Sequence, residues 1–302
     1  MNTDLFAATI TDEHSWKSCW QSKETYIPLL KHIYQINKLS FGEVSTFSEC
    51  SNAVFRIGET ILKIFYPQET AIKDGGEYMA ELEGLKFCNG LGINTPDIIC
   101  NGIIHDSVYT FPYIVMNYIN GIDADTAFMK YSQSEKVEHV KKLKELVDII
   151  SVPTNINIPR YDEPCRINHN FWNRMPTLFQ EDRMRYIENA TFPDAVFNQG
   201  DFGGQNIIID TQGRLHMIDF ASCLKAPWYY EMPIWEDSVL MDAYYGDYKN
   251  DDFYDTLLMA TLVYHWSPFN IENDANDLGV DVNSITSVAA LRDLLVTRVN
   301  SI

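Results

Sequence analysis

The feature that most constrains this chain is a hairpin signal with polar ends, residues 206–219. Ile207, Ile208 and Ile209 make one apolar arm and Leu215, Met217 and Ile218 the other, with Gln212-Gly213 at the turn, where glycine tolerates positive φ. Read as a two-residue loop, Gln212-Gly213 pairs residues whose numbers sum to 425, among them Asn206 and Asp219. Antiparallel partners lie with Cα atoms about 4.5 to 5.5 Å apart. An amide oxygen and a carboxylate at the open end of a hairpin are hard oxygen ligands for Mg²⁺. That ion takes one or two protein carboxylates and completes its shell with water and substrate phosphates. Asp201 stands five residues before Asn206, and Gly203-Gly204 between them lets the backbone curl so that both side chains reach one site. Singly, each has a plain structural explanation: an Asx-turn for Asp201, a strand cap for Asn206, a strand end for Asp219. Together, with an apolar hairpin between them, they point to a metal-assisted site.

Around this hairpin the texture changes along the chain. Residues 12–36 carry Trp16, Tyr26, Leu29, Leu30, Ile33 and Tyr34 at helical spacing. From 41 to 65 short β-rich runs follow, at 44–47, 53–57 and 60–65, the last two divided by Gly58-Glu59. A helix is expected over 76–89, stopped by Gly90, Gly92 and Pro96, then strands over 97–104 and 109–118. Beyond these the pattern turns helical. Ser132 with Glu135 forms a capping box, and Val140, Leu143, Leu146, Val147 and Ile150 form an apolar stripe. The fold class is α+β: a helical extension plus small β-rich lobe over 1–119, and a larger, mainly helical lobe over 120–302 that carries the hairpin. Asn120-Gly121 marks the expected joint.

Charge narrows the function. Of 302 residues, 42 are Asp or Glu and 23 Lys or Arg, a formal net charge of −19. Such a chain repels phosphate backbones and anionic lipid, so nucleic acid and membranes are poor partners. It suits a cationic substrate, although solubility alone explains an acidic surface. The six cysteines have no Cys-x-x-Cys spacing and read as reduced thiols. The N-terminal stretch carries Asp4, Asp12 and Glu13 and lacks a basic flank before an apolar run, so it does not read as a signal peptide, and no run approaches the ~20 apolar residues of a membrane span. The expectation is a soluble, cytoplasmic protein. There is no Gly-x-x-x-x-Gly-Lys-Ser/Thr loop, Gly90-x-Gly92 lacks the third glycine of a dinucleotide fingerprint, and Ser222-x-x-Lys225 lacks the partner motifs of penicillin-recognising enzymes.

The order Gly200-Asp201, four residues, Asn206, apolar hairpin, Ile218-Asp219-Phe220 resembles the aminoglycoside phosphotransferase and choline kinase-like group of protein-kinase-fold enzymes. The resemblance covers about residues 40 to 240 and implies a two-lobed protein-kinase-like fold. It implies that Asp201 is the catalytic base and that Asn206 and Asp219 hold Mg²⁺. It expects a phosphate-binding lysine on the third strand, where Lys63 stands, with Ile61 on the same face against adenine. Counting back from Pro96 places the lysine's partner at Glu81, with Glu77 and Glu83 on the same helix. Ser51 and Asn52, in the turn 49–55, correspond to the nucleotide loop. Asn117 and Ile119 would offer backbone groups to adenine, and Ile218 an apolar contact. A snorkelling lysine and a solvated helix face are the plain alternatives for Lys63 and the glutamates. One position departs from the family: Gln199 stands where His usually precedes Gly-Asp, and an amide can both donate and accept.

The implied function is a small-molecule kinase that uses ATP or GTP, with Mg²⁺, to phosphorylate a hydroxyl. Between 231 and 255 eight carboxylates (Glu231, Glu236, Asp237, Asp242, Asp247, Asp251, Asp252, Asp255) face one Lys249. A polycationic acceptor such as an aminoglycoside suits that stretch; a solvated acidic face explains it equally well. Kinases of choline, fructosamines, homoserine or macrolides are the rivals within the class, and a nucleotide-binding pseudokinase with a regulatory role is the rival outside it. The His-Arg-Asp and Ala-Pro-Glu blocks of protein kinases are missing. Monomer and homodimer both stay open.

Overall fold

The computed structural model describes residues 5–20, 22–47, 50–70, 76–264 and 267–302. Asp4 and, in the expected nucleotide loop, Glu49 lie outside the described residues. The chain opens with helices α1 (Glu13–Trp20) and α2 (Lys23–Ile36). On α2, Tyr26, Leu29, Leu30, Ile33 and Tyr34 are buried, one stripe at i, i+3, i+4 spacing that enters the same core as Phe55, Leu62, Ile64 and Phe111.

That core lines a five-stranded antiparallel sheet. Its strands are β1 (Val44–Thr46), β2 (Ala53–Ile57), β3 (Thr60–Ile64), β4 (Ile98–His105) and β5 (Thr110–Asn117), in the order β1-β2-β3-β5-β4. Ala53, Phe55 and Ile57 alternate inward along β2, which turns tightly into β3 with Ile57 opposite Thr60. Between β3 and β4 runs α3 (Gly76–Gly90). After the sheet come β6 (Gly121–Asp123) and α4 (Ala124–Phe128), the latter capped by Asp123.

The remaining elements are α5 (Gln133–Ile150), α6 (Glu163–Ile167), α7 (Thr177–Glu188), β7 (Val196–Asn198), β8 (Ile207–Asp210), β9 (Leu215–Met217), β10 (Leu224–Ala226), α8 (Ser238–Tyr245), α9 (Asp251–Met259), α10 (Ser267–Asp277) and α11 (Val288–Ser301). The expected capping box opens α5, with the Ser132 hydroxyl and Glu135 carboxylate each taking the other's backbone N–H. No helix among the described residues is long and apolar enough to cross a membrane.

The chain condenses into two compact units. One comprises Met1–Met129, Ile156–Pro159 and Gln199–Cys223; the other comprises Lys130–Asn155, Arg160–Asn198 and Leu224–Ile302. The first holds the large sheet and the small sheet β6-β8-β9; the second is mainly helical, with a core that includes Trp172, Phe179, Leu258, Leu262 and Leu291. Thus the expected boundary at 119/120 falls inside the first unit, and the hairpin folds with the sheet.

The hairpin register needs correction. Its pairs are Ile207↔Met217, Ile208↔His216 and Ile209↔Leu215, so facing numbers sum to 424. The loop has three residues, Thr211-Gln212-Gly213. The Asp210 N–H donates to the Arg214 carbonyl at 3.0 Å, the Gly213 N–H donates to the Asp210 carbonyl at 2.9 Å, and Gly213 takes φ +76°. A glycine in the left-handed region at the third position is how a three-residue hairpin closes. The Asp210 carboxylate fixes that turn by accepting the N–H groups of Gln212 and Arg214 at 2.8 and 3.0 Å. Across from Asn206 therefore stands Ile218, whose N–H donates to the Asn206 carbonyl at 3.0 Å. Asp219 has left strand geometry altogether, with φ +58°, a region Asp enters more readily than most side chains.

Candidate active site

The site is built on one buried ammonium. Lys63, near the end of β3, donates to Glu81 Oε2 at 2.7 Å and to Asp219 Oδ1 at 2.8 Å, so that three distant stretches meet at one nitrogen. The Lys63 and Glu81 side chains are 5% and 2% exposed, while that of Asp219 is 41% exposed. Burial opposes the charge on Lys63, but Asp219 and then Glu81 outweigh it and hold the ammonium above its ordinary value. Two carboxylates share this single cation. Burial, reinforced by Asp219, accordingly pushes Glu81 upward against the pull of Lys63. Of the helix glutamates, Glu81 is the partner, and Glu77 instead accepts from Asn52 Nδ2 at 3.2 Å.

The second element is the loop that carries Asp201. Asn206, 7% exposed, donates from Nδ2 to the Asp201 carbonyl at 2.8 Å and to Asp201 Oδ2 at 3.1 Å. With Nδ2 so used, its amide oxygen is the atom left for a cation. Asp201 is exposed at the surface, yet partial desolvation, opposed by the Asn206 hydrogen bond and aided by the Asp219 charge, raises its pKa. Among the described residues no cluster of three or more His, Cys, Asp and Glu side chains could hold a metal. An amide oxygen with one or two carboxylates is a donor set of Mg²⁺ type, which leaves room for water and phosphate.

Gln199 joins the two elements. It is 1% exposed, donates from Nε2 to the carbonyls of Asp219 and Ile218 (3.2 Å for the latter), and accepts the Asp201 N–H on Oε1 at 2.8 Å. The amide thus uses both of its faces on the backbone of the two acids. Gly200 follows with φ +90°, and a Cβ there would stand 1.9 Å from the Ser222 carbonyl oxygen, so only glycine lets the chain turn into Asp201.

The other expected residues are placed less centrally. Ile61 packs on Phe65, Leu82, Ile114, Met116 and Ala221, the apolar cluster of the same β3–α3 region, and Ile218 is half-buried next to Asp219. Ser51 is exposed, its carbonyl accepting from Trp16 Nε1 at 2.9 Å, while Asn52 is 2% exposed and tied to Glu77. Asn117 and Ile119 line a separate cleft of 530 Å³ with Asn94, Thr95, Asp210 and His216, and none of Lys63, Glu81, Asp201, Asn206 and Asp219 lines it. The Asn117 N–H is already donated to the Asp97 carbonyl at 3.1 Å.

In the helical unit, the acidic stretch is largely provided with partners from elsewhere in the chain. Arg292 on α11 bonds Asp251 and Asp255, each at 2.7 Å, and Arg298 pairs with Glu236 and, at 3.3 Å, with Asp274. Asp237 caps α8 and accepts from Gln133 at 2.9 Å. Counting charges between 231 and 255 missed these arginines because they lie some forty to sixty residues further on. Asp252 and Asp255 border a hollow of 930 Å³ with Asp182 and Arg185.

No protein-family model matches this chain, and no curated protein does. Solved structures do. The chain is similar to wild-type aminoglycoside 2'-phosphotransferase-IIIa in complex with GDP, with 13% identity over 91% of this chain and 99% of that one and a TM-score of 0.57. It is also similar to a thermostable mutant of aminoglycoside phosphotransferase APH(4)-Ia in ternary complex with ADP and hygromycin B, with 14% identity over 89% and 97% of the two chains and a TM-score of 0.53. A third, the GDP and kanamycin complex of APH(2")-IIia, gives 14% identity over 89% and 88% and a TM-score of 0.52. At such identities the likeness is one of fold, and the fold is that of the aminoglycoside phosphotransferases.

Proposed function

We propose that the protein is a phosphotransferase that moves the terminal phosphoryl group of a nucleoside triphosphate onto a hydroxyl of a small acceptor. The observation that carries this reading is the meeting of Lys63 with Glu81 and Asp219 beside an Asp201–Asn206 pair, on a fold whose solved examples are aminoglycoside phosphotransferases bound to GDP or ADP. Lys63, kept charged, neutralises phosphate oxygens without needing to be ordered at the moment of transfer. Asn206 and Asp219 would hold Mg²⁺, which supplies charge for the phosphates when bound. Asp201 orients the acceptor hydroxyl and takes its proton late in the transfer, as expected where catalysis is mainly positioning. Gln199 holds the backbone of Asp201 and Asp219 at fixed separation. Adenine or guanine would rest on Ile61 and Ile218, with the Ile119 backbone as the polar contact.

For the acceptor we propose an amine-bearing molecule, an aminoglycoside first. The net charge of −19 and the hygromycin B and kanamycin bound in similar structures support that choice. The test is nucleotide consumption with Mg²⁺ across kanamycin, hygromycin B, choline, a fructosamine, homoserine and a macrolide. Acceptor-dependent turnover with an aminoglycoside supports the reading, and turnover with one of the others reassigns the acceptor. Nucleotide binding with no turnover on any of them would make the protein a pseudokinase.

A further inference from the structure

We infer that Gly84 is a positioning residue for the Lys63–Glu81–Asp219 contact, because it lets α3 sit close against Phe220 and Cys223. The consequence for phosphoryl transfer rests on the function proposed above; the geometry does not. Gly84 lies buried in the middle of α3, where glycine is a poor helix former and no turn or positive φ calls for it. A Cβ there would stand 2.6 Å from Phe220 Cβ, 3.0 Å from Phe220 Cγ and 3.1 Å from Cys223 Sγ. Phe220 Cβ is bonded to the backbone, so no change of rotamer makes room; the helix or the segment 219–223 has to move.

Phe220 follows directly on Asp219 and Cys223 three residues later, and the same face of α3 is fastened to them one turn earlier. Cys223 Sγ donates to the Ala80 carbonyl at 3.2 Å, and Phe220 gives the Glu81 carboxylate a backbone hydrogen bond. Ala80, Glu81 and Gly84 thus seat α3 on the strip that carries Asp219, and the seat sets how far Glu81 stands from Lys63. Carbon atoms in contact prefer about 3.5 to 4.0 Å, so an added methyl needs roughly 1 Å of separation. Lys63 and Glu81 now meet at 2.7 Å. A shift of that size takes them past the ~3.2 Å limit of an ordinary hydrogen bond.

The test reads Lys63 directly, without requiring activity. The full-length protein is treated with an amine-reactive ester, and labelling of Lys63 is followed by peptide mass spectrometry against exposed Lys141 as internal reference. Gly84→Ala should raise the relative rate at Lys63 several-fold and weaken Mg-ATP binding, because the ammonium that meets the phosphates is displaced. In a Glu81→Gln background Gly84→Ala should add nothing, since residues that act as one unit are not additive. A lower melting temperature with unchanged Lys63 labelling, or effects that multiply in the Glu81→Gln background, would overturn the inference. Should Gly84→Ala not fold, Cys223→Ala adds no atoms and removes the bond to Ala80. It should raise Lys63 labelling by a smaller factor, again not in the Glu81→Gln background, and failure of either expectation overturns the inference. Wild-type protein that binds no nucleotide would remove the phosphotransferase reading, while the labelling still decides the role of Gly84.

Discussion

In the sheet-bearing unit Lys63 meets two carboxylates with its side chain 5% exposed, whereas in the helical unit Arg292 meets two carboxylates with its side chain 28% exposed and those of Asp251 and Asp255 87% and 59% exposed. The stoichiometry is the same and the physics differs. Around Lys63 little water screens the charges, so removing one partner strands another in a poor solvent. Around Arg292 the carboxylates are mostly hydrated with or without the arginine, and such pairs contribute little. A contact drawn identically in both places therefore marks a site in one and a helix-to-helix tie in the other.

The comparison can be broken most forcefully at the acid next to the buried contact. Asp201→Asn keeps the size and the Asn206 neighbour but removes the proton acceptor, so acceptor-dependent turnover should fall by about 10² to 10⁴. Mg-nucleotide affinity should be nearly unchanged, as checked by a binding titration run beside the rate assay. Equal turnover in the two proteins would deny Asp201 a role in chemistry.

Lys63→Met strands Glu81 and should cost about 3 to 5 kcal/mol of stability as well as turnover. Adding Glu81→Gln should return most of the lost melting temperature and none of the turnover. If the double variant recovers turnover too, Lys63 is only a structural charge.

A smaller effect is expected in pH. Asp201 is raised above its ordinary 3.8, by partial desolvation and by Asp219, so this carboxylate becomes protonated earlier as the medium is acidified. Turnover should fall on the acid side with a midpoint above 3.8. For stability the sign is opposite: a carboxyl raised in the fold favours the fold when protonated, so its contribution is full below 3.8 and is lost as pH rises through the raised value. A pH–rate profile with its acid midpoint at or below 3.8 would contradict this environment. Smallest of all, Arg292→Met should lower the melting temperature slightly, by an amount that shrinks further in high salt, and leave turnover alone. A large loss would mean that the two units do not differ as described.

Much of this site was legible in the chain. Asp201, Asn206 and Asp219 stand out by order and spacing, because an apolar hairpin with polar ends is a local pattern; Lys63 and Glu81 enter only through the family resemblance. The hairpin register was not legible: two-residue and three-residue loops read alike around Gln212-Gly213, and only the hydrogen bonds of Asp210 with Gly213 and Arg214 separate them. Nor were the arginine partners of the acidic stretch after Glu231 legible, since they come from α11, far along the sequence. Asn52 corresponds to the nucleotide loop only through the family resemblance, and in the fold its Nδ2 donates to Glu77 while its buried Oδ1 has no hydrogen-bond partner among the described residues.

By itself the sequence determined the element types, the α+β class and the grouping of Asp201, Asn206 and Asp219 around one hairpin, all of which follow from periodicity and turn chemistry over a few residues. Tertiary structure alone decided which acids share an ammonium and which are neutralised from a distance. It also decided that the hairpin folds with the sheet, and that Gly84 is where α3 can approach Phe220. Those outcomes depend on distances between stretches as far apart as Lys63 and Asp219, which no local pattern encodes and only packing sets.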